Sequence, residues 1–134
     1  MAETFLYLTL GINDVTRAAR FYDAALAPLG LVRRATKDTE IGYAHPSDRR
    51  ARLWITLPHD GNPATVGNGS MPALIAPSKD AVQAFHRTAL LAGGTDEGAP
   101  GLRPYGPGFY AAFVRDPDGN KVSAVHEGTT DSGD

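Results

Sequence analysis

The most constraining feature of this chain is an internal repeat of element order. Placing the sequence on itself at an offset of 64 positions sets Phe21 on Phe85, Ala25 on Ala89, Leu26 on Leu90, Leu10 on Leu74 and Gly30 on Gly94. The identities alone are a weak signal. The order of predicted elements around them strengthens it. Residues 5–10 form an apolar run of strand formers. Asn13 or Asp14 can cap a helix whose apolar face is Val15, Ala18, Tyr22, Ala25 and Leu29, with Ala19 and Leu26 beside it. Pro28 and Gly30 end that helix, and three short strands follow near 31–36, 40–45 and 51–57.

The second half repeats the order. Met71 to Ala76 reads as a strand, Ser78 as a cap, and Val82, Phe85 and Ala89 as a helix face stopped by Gly93-Gly94. Residues 95–108 are broken by glycine and proline. Phe109 to Arg115 and Lys121 to Val125 read as strands joined by a turn at Asp118-Gly119, where glycine accepts a positive φ. The expected fold is α+β: two βαβββ modules side by side, forming a cupped eight-stranded mixed sheet. Domain organisation is expected to be one domain over 1–127. Module one covers about 4–57, a polar linker 58–70 and module two 71–127, with a flexible tail over 128–134.

Composition narrows the function. Fifteen acidic and 13 basic residues give a net charge of −2, which argues against a nucleic-acid or anionic-membrane surface. No cysteine is present, so disulfides, thiolate metal sites and a cysteine nucleophile are excluded. No apolar run approaches the roughly 20 residues that span a bilayer. The N-terminal residues lack the pattern of a signal peptide, and a cytoplasmic protein is the expectation. There is no Ser/His/Asp motif, dinucleotide fingerprint or phosphate loop.

Three segments carry a family resemblance: Leu8-Thr9-Leu10-Gly11-Ile12-Asn13-Asp14, the helix with Phe21-Tyr22, and Tyr110 to Asn120 with its Asp116-Pro117-Asp118-Gly119-Asn120 ending. They resemble the vicinal oxygen chelate superfamily, the glyoxalase, bleomycin-resistance and extradiol-dioxygenase group. The resemblance runs from about residue 4 to about 127 and implies the paired βαβββ fold. It also implies a divalent metal held in the cup by His and Glu. The corresponding places here are Tyr7, Met71 and Ser123. A phenol, a thioether and a hydroxyl are neutral at pH 7 and place no anionic oxygen or imidazole against a dication. The expectation is therefore no metal cofactor, with a divalent ion such as Zn, Ni, Mn or Fe as the alternative.

The histidines give no substitute. His45, His59, His86 and His126 lie apart, without ligand spacing, although His126 stands beside Glu127. Strand alternation puts Arg52, Trp54 and Thr56 on one face and Leu53, Ile55 and Leu57 on the other. The apolar set should meet the helices, leaving Trp54 to face the cup as a flat wall for a planar ligand. Arg52 is a candidate partner for a carboxylate or phosphate. Arg103, Tyr105 and Tyr110, in and beside a glycine- and proline-rich segment, are further candidate contacts. Asp116 and Asp118 are assigned to turn geometry.

The leading functional expectation is a module that binds a small organic molecule in the cup, lined by Tyr7, Trp54, Met71 and Ser123. The alternatives are a metal-dependent lyase or dioxygenase of the glyoxalase type, and a non-enzymatic accessory or regulatory domain. A homodimer is an open possibility for this chain, and in some related chains of similar length the partner completes the cup.

Overall fold

The computed structural model describes residues 3–128. Strand β1 (Leu8–Gly11) leads to helix α1 (Val15–Leu26) and a 3-10 turn over Ala27–Leu29. Strands β2 (Val32–Thr36), β3 (Glu40–Ala44) and β4 (Leu53–Thr56) complete module one. Module two repeats this with β5 (Ala73–Ile75), α2 (Lys79–Leu91), β6 (Thr95–Leu102), β7 (Phe109–Arg115) and β8 (Lys121–Glu127). The α+β fold of two βαβββ modules is thus the one the sequence implies. Its eight strands lie in two sheets of four, ordered β1-β4-β3-β2 and β5-β8-β7-β6. Strands β1 and β5 are parallel to β4 and β8, and the other pairs are antiparallel. Of the tail expected over 128–134, Gly128 donates its N–H to the Gly108 carbonyl. Residues 129–134 lie outside the described residues.

Local chemistry sets the helix ends. Asp14 accepts the Arg17 N–H at 2.9 Å and Ser78 accepts the Ala81 N–H at 3.0 Å, each satisfying a first-turn donor that has no intrahelical partner. After the 3-10 turn Gly30 takes φ of 83°, a conformation that any side chain would resist. Of the predicted helix faces, Ala18, Ala19, Tyr22, Ala25 and Leu26 on α1 and Val82, Phe85 and Ala89 on α2 are buried, Val15 is half-buried, and Leu29, buried too, lies in the 3-10 turn beyond α1. Phe21, outside the predicted stripe, is fully buried as well.

The modules meet through their helices. Thr88 of α2 donates its hydroxyl to the Ala24 carbonyl of α1 at 2.9 Å. Phe21 reaches the foot of α2, where a Cβ on Gly94 would stand 2.6 Å from its ring. A single core therefore runs through both modules, joining Phe21 and Tyr22 to Phe85, Val114 and Val122.

The β7–β8 turn clasps module two to module one. Asp116, almost fully buried, accepts the N–H groups of Asp118 and Asn120 on Oδ1, each at 2.9 Å. Its Oδ2 accepts the Tyr22 hydroxyl at 2.6 Å and Asn120 Nδ2 at 2.9 Å. Asn120 Nδ2 also reaches the Gly11 carbonyl at 2.8 Å. Asp118 Oδ1 accepts the Asn13 N–H at 3.0 Å and Arg17 at 2.7 Å. The turn assignment of these aspartates stands, and each also binds the other module. Burial first, and then the Asp116 carboxylate, push the Tyr22 hydroxyl well above its ordinary pKa.

Candidate functional site

Each sheet has one face against the helices and one face away from them. In module one the helix-side residues are Ile41, Tyr43, Leu53 and Ile55, all buried. The register sets Thr9 opposite Trp54, Trp54 opposite Gly42, and Thr56 opposite Glu40. These residues occupy the open face, as the alternation predicts for Trp54 and Thr56. Continued back by one pair, β1 brings Tyr7 to the same side. The Trp54 indole lies close over Gly42, where a Cβ would stand 2.9 Å from its Cζ3. The Lys37 ammonium lies 5.8 Å from the Trp54 ring centroid, and the Arg50 guanidinium 5.1 Å from that of Tyr7.

Arg52 is already engaged. It binds Asp48 at 2.9 Å, Glu3, and the Leu6 carbonyl at 3.1 Å. Hydrogen bonding from Arg52 holds Asp48 below the ordinary carboxylate range, and Arg49 with Arg52 does the same to Glu3. Its charge ties the strand edge to the N-terminal segment rather than presenting itself to a ligand. Thr56 lines a cavity of about 990 Å³ with Asn13, Lys37, Glu40 and His59. Its hydroxyl donates to the Leu57 carbonyl at 2.8 Å.

In module two the open face carries Phe113, Ser123 and Lys121, since Phe113 pairs with Ser123 and Arg115 with Lys121. Ser123 is fully buried and donates its hydroxyl to the Ala112 carbonyl at 3.0 Å. Met71 and Tyr105 line a cavity of about 450 Å³ with Glu97, Arg103, Phe113 and Lys121. Tyr110 lies on the opposite face. It packs against the core, its hydroxyl accepts Gln83 Nε2 of α2 at 2.9 Å, and Lys79 lies 5.2 Å from its ring. The even spacing from Ala112 and Val114 was the available signal, because both of those residues face the helix.

The expected lining residues are therefore spread along two open faces. Tyr7, Trp54 and Thr56 belong to module one, Met71, Ser123 and Tyr105 to module two, and Tyr110 to neither. The faces adjoin at a seam cavity of about 240 Å³, where Thr9 and Gly11 of β1 meet Ser70, Asn120 and Lys121. Sequence reasoning passed over Lys37, Phe113 and Lys121. Counting back two residues from Ser123 was enough to place Lys121 on its face.

The register also identifies a fourth equivalent position. Thr9 pairs with Trp54 and Ala73 pairs with Ser123, and Thr9 and Ala73 are related by the repeat offset. Trp54 is thus the module-one counterpart of Ser123, as Tyr7 is of Met71. The donor set at these four places is a phenol, an indole, a thioether and a hydroxyl already donating to a carbonyl. That set does not fit a divalent metal. Three of the four histidines have other partners, and His59 lines the Thr56 cavity. His45 Nδ1 lies 3.0 Å from the Gly30 carbonyl, His86 Nε2 2.9 Å from Asp96, and His126 Nδ1 3.2 Å from the Ala76 carbonyl on the helix side. Among the described residues no three His, Asp or Glu side chains gather as a metal-holding group.

The sequence profile of the glyoxalase/bleomycin resistance protein/dioxygenase superfamily matches residues 4–124. The chain belongs to this superfamily. A glyoxalase/bleomycin resistance protein from Albidiferax ferrireducens T118 is similar in structure, with TM-score 0.83 and 38% identity over 94% of this chain and 100% of its own. A glyoxalase-related enzyme from Fulvimarina pelagi has TM-score 0.71 and 22% identity, over 93% of this chain and 89% of its own. A family enzyme from Burkholderia phytofirmans PsJN has TM-score 0.67 and 16% identity, over 92% and 98%. The last two likenesses show the fold alone. No curated protein matched the chain. As a glyoxalase-superfamily member, the protein combines the family's paired modules with open-face strands that lack metal-ligating side chains at the four equivalent positions. Among the described residues no helix is long and apolar enough to cross a membrane.

Proposed function

We propose that this glyoxalase-superfamily chain binds a small organic molecule on its open sheet faces without the catalytic metal of its relatives. The observation that carries the reading is the donor set Tyr7, Trp54, Met71 and Ser123. Zinc, nickel, manganese and iron need imidazole or anionic oxygen to offset dehydration, and none of these four side chains supplies it. What the faces do offer is aromatic surface edged with cations, together with an adaptable thioether at Met71. Such walls suit a planar, largely apolar ligand.

A second copy of the chain is the partner proposed here. Phe5 (71% exposed), Ile75 (87%) and Tyr105 (68%) are large apolar side chains left in water, and covering them is the role proposed for that copy. A second copy covering these residues would also deepen the shallow faces into a cup. Light scattering on the purified protein should give twice 14.2 kDa, and a mass of 14.2 kDa would overturn the dimer.

The binding reading is tested on the single tryptophan. Its indole N–H gives one resonance in an amide-correlation NMR spectrum, which can be followed during titration with 2-naphthol as a planar probe. A saturable shift, unchanged by EDTA, is expected. No shift, or a shift abolished by EDTA, would contradict the reading and favour an accessory domain or a metal-dependent enzyme respectively.

A further inference from the structure

The corner of module two formed by Arg103, Phe113 and Lys121 contains cationic charge that the fold does not itself consume. The Arg103 guanidinium lies 5.3 Å from the Phe113 ring centroid, and the Lys121 ammonium lies 5.5 Å from the same centroid. Arg103 is held by backbone carbonyls, Ala99 at 2.7 Å and Leu102 at 3.4 Å, which orient the group without neutralising it. Among the described residues, no carboxylate lies within ion-pair distance of either cation. Glu97, the acidic residue in this cavity, pairs instead with Arg115 at 3.5 Å.

The backbone makes room for this arrangement. A Cβ on Gly98 would stand 3.3 Å from Arg103 Nη2 and 2.9 Å from the Phe113 ring, and one on Gly101 would stand 3.0 Å from Arg103 Nη1. Two glycines on β6 thus let the guanidinium fold back over the sheet and onto the aromatic ring. The same cavity has apolar walls, Met71 and Tyr105.

We infer that this corner is the anion subsite of the open face and takes a carboxylate carried on a planar apolar body. This rests on the small-molecule reading above and names the ligand class it implies. A guanidinium offers paired N–H donors that match two carboxylate oxygens, and a lysine adds a point charge from a second strand. The Glu97 carboxylate in the same cavity disfavours a dianion such as a phosphate monoester more than a monoanion. Met71 and Tyr105 then contact the apolar body while its charge faces the cations.

The test uses benzoate as probe, with benzamide as its neutral isostere and acetate as the charge without the ring. Binding is followed by amide NMR on the full chain, reading resonances of residues 97–105, 113 and 121. Benzoate should shift these residues saturably, and benzamide and acetate should each bind roughly tenfold more weakly, as expected for loss of a charge-assisted contact or of the apolar contact. Arg103→Gln and Lys121→Gln should each weaken benzoate by a similar factor and leave benzamide unchanged. Arg20→Gln, exposed on α1 away from the sheet faces, should leave benzoate unchanged. An unaltered Trp54 indole resonance certifies that each variant is folded. Equal binding of benzoate and benzamide, or no benzoate shifts in this corner up to about 10 mM, the weak end of fragment affinity, would overturn the inference. The 2-naphthol titration at Trp54 on the same samples separates the two claims. If naphthol binds and benzoate does not discriminate, this inference alone falls. If naphthol also fails, the binding reading falls with it.

Discussion

Replacing Tyr22 by Phe removes one oxygen atom from the clasp between the modules and nothing else of consequence. The ring is fully buried and keeps its edge contact with Phe21 at 4.8 Å between centroids and its tilted contact with Tyr43 at 6.2 Å. The hydroxyl donates to Asp116 Oδ2 at 2.6 Å. After the change Asp116 keeps Asn120 Nδ2 and two backbone N–H donors. The loss is therefore one hydrogen bond to a charged acceptor, worth about 2 kcal/mol. With an unfolding entropy typical for 134 residues, that lowers Tm by roughly 7 °C. Calorimetry at neutral pH reads this directly, with Tyr105→Phe as a surface control that should not move.

The same variant has an alkaline signature. The folded-state pKa of Tyr22 is raised, by burial first, whereas the unfolded value is near 10. Above that pH the unfolded chain loses a proton that the native state keeps, so stability falls as pH rises. Below it the residue contributes no slope. The wild type should lose about 1.4 kcal/mol per pH unit from this group above pH 10, and Tyr22→Phe should remove that share of the slope. A neutral-pH Tm within the error of wild type, together with an unchanged alkaline slope, would refute the idea that Tyr22 and Asp116 hold the modules together.

Two further outcomes follow from the geometry. Burial works to raise the Asp23 carboxyl, but hydrogen bonds from Arg33 and Tyr43 outweigh it and hold the group below its ordinary value. Its contribution is present above the unfolded pKa near 3.9 and is lost as pH falls through the lower folded value. Asp23→Asn should therefore flatten the acid limb of a Tm-against-pH curve, and an unchanged acid limb would count against the pairing. Gly42→Ala puts a methyl 2.9 Å from the Trp54 ring and 3.0 Å from Ala51 Cβ, so the indole must move. The expected cost is about 1–3 kcal/mol with a shift in tryptophan emission, and unchanged emission would show that Trp54 does not rest on Gly42.

Much of this architecture was legible because periodicity and caps agree with the fold. The offset of 64 pairs Phe21 with Phe85 and Ala25 with Ala89, and both pairs are core. It pairs Leu26 with Leu90 less well, since Leu90 is 37% exposed at the end of α2. Strand β6 was not legible as a strand. Gly98, Pro100 and Gly101 interrupt any alternation, and the ladder with β7 shifts register at both glycines. An edge strand tolerates this because one side needs no partner. The face carrying Arg52, Trp54 and Thr56 followed from alternation alone, but the engagement of Arg52 did not. Its partners Glu3 and Asp48 lie on segments with no regular periodicity. The Asn120 contact to the Gly11 carbonyl spans 109 positions, and no local pattern announces a partner that distant.

The most direct test of the central claim is metal content. The protein, expressed in medium containing zinc, nickel, manganese and iron and purified without chelator, is measured by elemental analysis. Substoichiometric amounts of every metal are predicted, with the Trp54 resonance and Tm unchanged by EDTA. One equivalent of any of these metals, lost to EDTA with a fall in Tm, would contradict the claim. It would then require ligands other than Tyr7, Trp54, Met71 and Ser123.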